Sequence, residues 1–66
     1  MRIRINGEDE EFADAPSVRE LLASRGLEPR RVAVELNRRI LPRGRYGETR
    51  LSHDDAVEIV TLVGGG

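Results

Sequence analysis

The run Val57-Glu58-Ile59-Val60-Thr61-Leu62-Val63 constrains the fold more than any other stretch of the chain. Its β-branched residues favour extended backbone, and both of its alternating faces are apolar: Val57, Ile59, Thr61 and Val63 interleave with Ala56, Glu58, Val60 and Leu62. Strands of that composition sit between two others in a sheet. In 66 residues there is room for one sheet and one covering layer, so residues 1–63 are expected to form a single domain with this strand in the middle. Three glycines, Gly64-Gly65-Gly66, follow directly. Lacking a Cβ, they make a thin tether with access to nearly all backbone conformations. Residues 64–66 are therefore expected to be a flexible C-terminal tail that can thread a narrow channel and present the Gly66 carboxylate inside another protein. If Glu58 marks the solvent side, Val57 and Ile59 point to the core, while Val60 and Leu62 are left exposed beside the tail as a docking patch.

Composition removes several classes of function. Eleven basic and twelve acidic residues leave a net charge of −1, which argues against electrostatic capture of nucleic acid. With Phe12 and Tyr46 as the only aromatics, base-stacking platforms are not expected either. Cysteine is absent, which excludes disulfides, a thiolate nucleophile and a Cys-based zinc site, and fits a reducing compartment. No apolar run is long enough to span a bilayer, and Met1-Arg2-Ile3-Arg4-Ile5 alternates where a signal peptide would be uniformly apolar. The expectation is a soluble cytoplasmic protein with no nucleic-acid or membrane partner.

Met1, Ile3 and Ile5 share one face of a first strand, and Asn6-Gly7 tolerates the positive φ values of a two-residue hairpin turn. Glu8 to Phe12 should return antiparallel as a charged edge strand. Ser17-Val18-Arg19-Glu20 is a capping box that starts a helix carrying Val18, Leu21 and Leu22 inward, and Gly26-Leu27 closes it as a Schellman motif. Val32, Val34 and Leu36 mark a third strand, Asn37-Arg38 a turn, and Arg39-Ile40-Leu41 a short run that Pro42 confines to an edge. Tyr46, in the loop Arg43-Gly44-Arg45-Tyr46-Gly47, is expected as a lid over the core edge. Leu51-Ser52-His53-Asp54-Asp55-Ala56 reads as a turn. Three consecutive side chains do not converge on one point, so His53, Asp54 and Asp55 are assigned neither metal binding nor catalysis.

The order strand, strand, helix, strand, short strand, strand (ββαβββ) gives an α+β fold: a mixed β-sheet with one main helix packed on one face. Pairing the first and last strands as parallel central neighbours makes it the ubiquitin-like β-grasp. Over essentially its whole length the chain resembles the small bacterial sulfur carriers of the ThiS/MoaD type, which share that fold and end in Gly-Gly. The stretches Val34-Glu35-Leu36-Asn37-Arg38-Arg39-Ile40-Leu41-Pro42-Arg43 and Val57 to Gly66 are similar to the thiamine-pathway subgroup. Asp54-Asp55 departs from the Asp-Gly-Asp turn common in the family, which puts the local turn type in question.

The resemblance implies chemistry done on this chain by other proteins, so that it is a carrier and not an enzyme. A ThiF-like adenylating enzyme would use ATP and magnesium to convert the Gly66 carboxylate to an acyl-adenylate. Sulfur from a cysteine desulfurase source would then displace AMP and leave a thiocarboxylate, which donates sulfur to a ThiG-like thiazole synthase. Gly64 and Gly65 would thread the partner site, and no cofactor would be held stably. The same resemblance leaves open a carrier for molybdopterin, cysteine or tRNA thiolation, or a ubiquitin-like modifier; the residues alone also allow a β-grasp binding module.

Overall fold

The computed structural model describes residues 1–63. Strands β1 (Arg2–Ile5) and β2 (Glu8–Glu11) precede helix α1 (Val18–Ser24), and β3 (Val32–Leu36), β4 (Arg39–Ile40) and β5 (Ala56–Thr61) follow it. Short 3-10 turns lie at Pro29–Arg31 and Arg43–Arg45. The five strands form one sheet in the order β2-β1-β5-β3-β4. β1 and β5 are parallel, whereas the β1–β2, β3–β4 and β3–β5 pairs are antiparallel. This is the expected β-grasp, with β5 at the centre. β5 ends at Thr61, two residues before the expected limit, though Leu62 N still donates to Arg31 O at 2.8 Å.

Both tight hairpins follow from local chemistry. Asn6 and Gly7 hold φ of 51° and 84°, and Asn37 and Arg38 hold 52° and 70°, as a two-residue turn matched to strand twist requires. The two asparagines do more than turn the chain. Asn6 Oδ1 accepts from Ile59 N at 2.7 Å, and Asn37 Oδ1 accepts from Ala56 N at 2.9 Å. Each turn thereby clips onto the central strand, Asn6 from the β1 side and Asn37 from the β3 side.

Helix α1 needs its ends satisfied because it is only seven residues long. Ser17 Oγ accepts from Glu20 N at 3.0 Å and Glu20 Oε1 accepts from Ser17 N at 2.8 Å, completing the capping box. The N–H groups of Val18 and Arg19 donate to Thr49 O and Tyr46 O, so the long β4–β5 connection is strapped across the start of the helix. At the other end Gly26 takes φ of 70°, and Leu27 N and Gly26 N donate to Leu22 O and Ala23 O, the two bonds of a Schellman closure.

The core lies between α1 and one face of the sheet. Ile3, Ile5, Val32, Val34 and Val57 come from strands, and Val18, Leu21 and Leu22 from the helix. Tyr46 and Leu51 complete it from the β4–β5 connection. Tyr46 is thus a core residue, 3% exposed, with its hydroxyl turned toward Val32 O, and not the lid expected at the core edge. Leu51, expected in a turn, is 2% exposed. Among the described residues no helix is long and apolar enough to cross a membrane.

Candidate functional site

The strand register decides what the uncovered face of the sheet displays. Ile3, Ile5 and Val57 are buried, so their neighbours Arg2, Arg4, Ala56 and Glu58 face away from the helix. Cross-strand partners share a face. Arg2 and Arg4 therefore stand beside Glu11 and Asp9 of β2, while Val60 and Glu58 of β5 stand beside Ala33 and Glu35 of β3. Ile40 of β4 pairs with Glu35 at the far edge. Along this face charge gives way to apolar surface from β2 toward β4: Val60 is 56% and Ile40 69% exposed. Val60 and Leu62, expected to dock a partner, are both exposed, and Val63 beyond them is more exposed still. Gly64, Gly65 and Gly66, expected to thread a partner site and carry sulfur, lie outside the described residues.

Where the chain leaves β5 it runs beside arginines. The Leu62 N to Arg31 O bond ties it to the Pro29–Arg31 turn, where Glu28 accepts from Arg31 Nε at 2.9 Å. Arg43 Nε donates to Pro29 O at 3.1 Å, linking the two 3-10 turns. An open groove of about 500 Å³ lies there, lined by Arg19, Glu28, Pro29, Arg30, Arg43 and Tyr46 among others. The sequence signalled the arginines but not their convergence, which depends on the two 3-10 turns meeting.

His53, Asp54 and Asp55 are occupied in holding a turn. His53 Nδ1 accepts from Arg2 N at 2.9 Å, Asp54 pairs with the Arg2 guanidinium at 2.8 Å, and Asp55 Oδ2 accepts from Ser52 N at 2.7 Å. The hydrogen bond from Arg2 holds the Asp54 carboxyl below the ordinary aspartate value, and Asp54 in turn raises Arg2. Asp54 adopts φ of 70°, so it fills a left-handed position that glycine would occupy without strain. No group of three or more His, Cys, Asp or Glu side chains among the described residues is arranged to hold a metal ion.

Comparison with known proteins gives the same picture over the full length. The family model of the ThiS family matches residues 3–66. The sulfur carrier protein ThiS of Bacillus subtilis is 42% identical over 65 residues, covering 97% of this chain and 98% of that protein. The thiazole synthase of Paramagnetospirillum magneticum is 39% identical over 66 residues; the chain spans 20% of that protein's length. A crystal structure of a thiamine biosynthesis protein (ThiS) from Geobacter metallireducens superposes with a TM-score of 0.84 at 33% identity, covering 100% of both chains. A family model that begins in β1 and runs to Gly66, with a relative of matching length at 42% identity, shows that the chain belongs to the ThiS family.

Proposed function

We propose that this chain is the sulfur carrier of thiamine thiazole formation, working in the cytoplasm as the substrate of other enzymes and catalysing nothing itself. The observation that carries the reading is the likeness to the Bacillus subtilis sulfur carrier over nearly the whole of both chains. The chemistry explains the parts. A free carboxylate is a poor acyl donor because its leaving group would be oxide. An adenylating enzyme of the ThiF type would transfer AMP from ATP, with magnesium, to the Gly66 carboxylate and release pyrophosphate. A persulfide sulfur originating from a cysteine desulfurase then displaces AMP to give an acyl disulfide. A thiol cleaves its S–S bond and is itself oxidised to a disulfide, and the Gly66 thiocarboxylate left behind supplies sulfur to a thiazole synthase. Two thiazole synthases, from Paramagnetospirillum magneticum and Magnetococcus marinus, each contain a stretch 39% identical to this entire chain. Carrier-like and synthase sequence within one polypeptide supports the synthase as the acceptor.

In this scheme the domain holds the end out and identifies it. Val60 and Leu62 form the docking patch, Gly64 and Gly65 pass through the enclosed part of the partner site, and Gly66 bears the reacting carbon. A Cβ next to that carbon would crowd the site, so Gly65→Val is expected to fold normally yet resist adenylation. The test is intact mass with a C-terminal peptide map, after incubation with a ThiF-type enzyme and ATP and on protein recovered from its own cell. The thiocarboxylate adds about 16 Da at Gly66, distinguished from Met1 oxidation by the peptide that carries it. Full adenylation of Gly65→Val would refute the steric role. A wild-type chain that is neither adenylated in vitro nor sulfur-loaded in the cell would overturn the function.

A further inference from the structure

Glu35 and Glu58 stand directly opposite one another in the β3–β5 ladder, at the middle of the face the helix leaves open. Side chains so placed have Cβ atoms about 5 Å apart, and like charges there weaken the sheet. Neither carboxylate takes part in any ion pair found among the described residues. Five acids of the chain are paired, Asp9 with Arg4, Glu10 with Arg25, Glu20 with Arg50, Glu28 with Arg31 and Asp54 with Arg2. What sets Glu35 and Glu58 apart from the other acids without an ion pair is that they face each other across a ladder. On this face Arg4 of β1 stands opposite Ala56, and its guanidinium is held by Asp9 at 3.1 Å. Toward β4 and the end of β5 the neighbours of the pair are apolar. Ile40 flanks Glu35 across the β3–β4 ladder, and Val60 with Ala33 is the next pair on the same face, two along the ladder.

Two negative charges facing each other among apolar side chains cost the isolated domain stability, and a cation set between them reverses the sign of that cost. We infer that Glu35 and Glu58 are the polar centre of a docking surface, and that the protein bound there inserts one arginine or lysine between them while covering Val60 and Ile40. An arginine fits best, because its planar fork can donate to both carboxylates at once. A second copy of this chain is the wrong occupant: a two-fold contact centred on the pair would bring four carboxylates together. An anionic lipid surface is repelled for the same reason. The occupant is a protein surface of mixed apolar and basic character, and under the carrier reading, on which this assignment rests, it belongs to the adenylating enzyme.

The double variant Glu35→Gln/Glu58→Gln keeps shape and hydrogen-bonding atoms while removing both charges. Alone, it should unfold at a higher urea concentration than the wild type, because the repulsion is gone. Against the ThiF-type enzyme of the same cell, calorimetry should show binding weakened by at least about tenfold, with a flatter salt dependence than the wild type. The carrier concentration that half-saturates adenylation should rise in parallel with the loss of affinity. Unchanged affinity for the enzyme, or a loss of affinity accompanied by a lower urea midpoint, overturns the inference while leaving the carrier function standing. A wild-type chain that is neither bound nor adenylated overturns the carrier reading and, with it, the occupant named here.

Discussion

Arg38 is the residue whose backbone is least suited to its side chain. It holds φ of 70° in the β3–β4 turn, a left-handed position that costs an L-residue roughly 1 kcal/mol, and no hydrogen bond or ion pair of its side chain offsets this among the described residues. Arg38→Gly should therefore raise stability by about 1 kcal/mol or somewhat less, given the greater freedom glycine has when unfolded, visible as a higher urea midpoint with an unchanged slope. Asp54, at the same φ, is compensated by the ion pair to Arg2. Two carboxyls make the domain sensitive to acid. The backbone hydrogen bond from Ser17 lowers Glu20 from 4.5, and the side-chain hydrogen bond from Arg2 lowers Asp54 from 3.8. A depressed carboxyl stabilises the fold fully above its ordinary value and loses that contribution as pH falls through the lower folded value. Urea midpoints should thus decline on acidification below that range, and Glu20→Gln/Asp54→Asn should show a shallower decline. The capping box and both asparagine turns were legible in the sequence because each rests on side chains three residues apart or fewer. What the asparagine side chains hold was not, because Asn6 reaches Ile59, 53 residues on.

Among the elements, the β4–β5 connection departs furthest from its sequence pattern. It reads as glycine-flanked loop and turn, yet it supplies Tyr46 and Leu51 to the core and caps the first N–H groups of α1. An isolated apolar residue among Arg, Ser, His and Asp carries no periodicity, so nothing local marks Leu51 as buried. Its partners are Pro16, whose carbonyl accepts from Leu51 N at 2.9 Å, and the helix that Pro16 precedes. Leu51→Ala should cost about 2–4 kcal/mol, a large share of what a domain this small holds, measured by chemical denaturation. The strands and helix, by contrast, were legible because their alternation and caps agree with the packing: Val32 and Val34 are buried, as are Val18, Leu21 and Leu22. Only the ends differed, β5 stopping at Thr61.

For the whole molecule, strand order separates charge. β2, the edge strand Glu8–Glu11, is wholly acidic, while the opposite edge and its turns gather Arg30, Arg31, Arg38, Arg39, Arg43 and Arg45. A net charge of −1 conceals this polarity, a charge separation able to orient the chain in the field of a charged surface. The exposed patch was legible from parity along β5, but the facing of Glu35 and Glu58 needed the β3–β5 register, which no single strand contains. Leu62→Asp, at a 43% exposed position, should leave the unfolding midpoint near that of the wild type and weaken binding to the adenylating enzyme; equal affinity in calorimetry would remove Leu62 from the docking patch. The clips of Asn6 and Asn37 onto β5 have a mechanical result. A partner drawing on the chain beyond Val63 would load the central strand, which is bonded to β1 along one edge and to β3 along the other. Such a load would be shared between two neighbouring strands instead of resting on one.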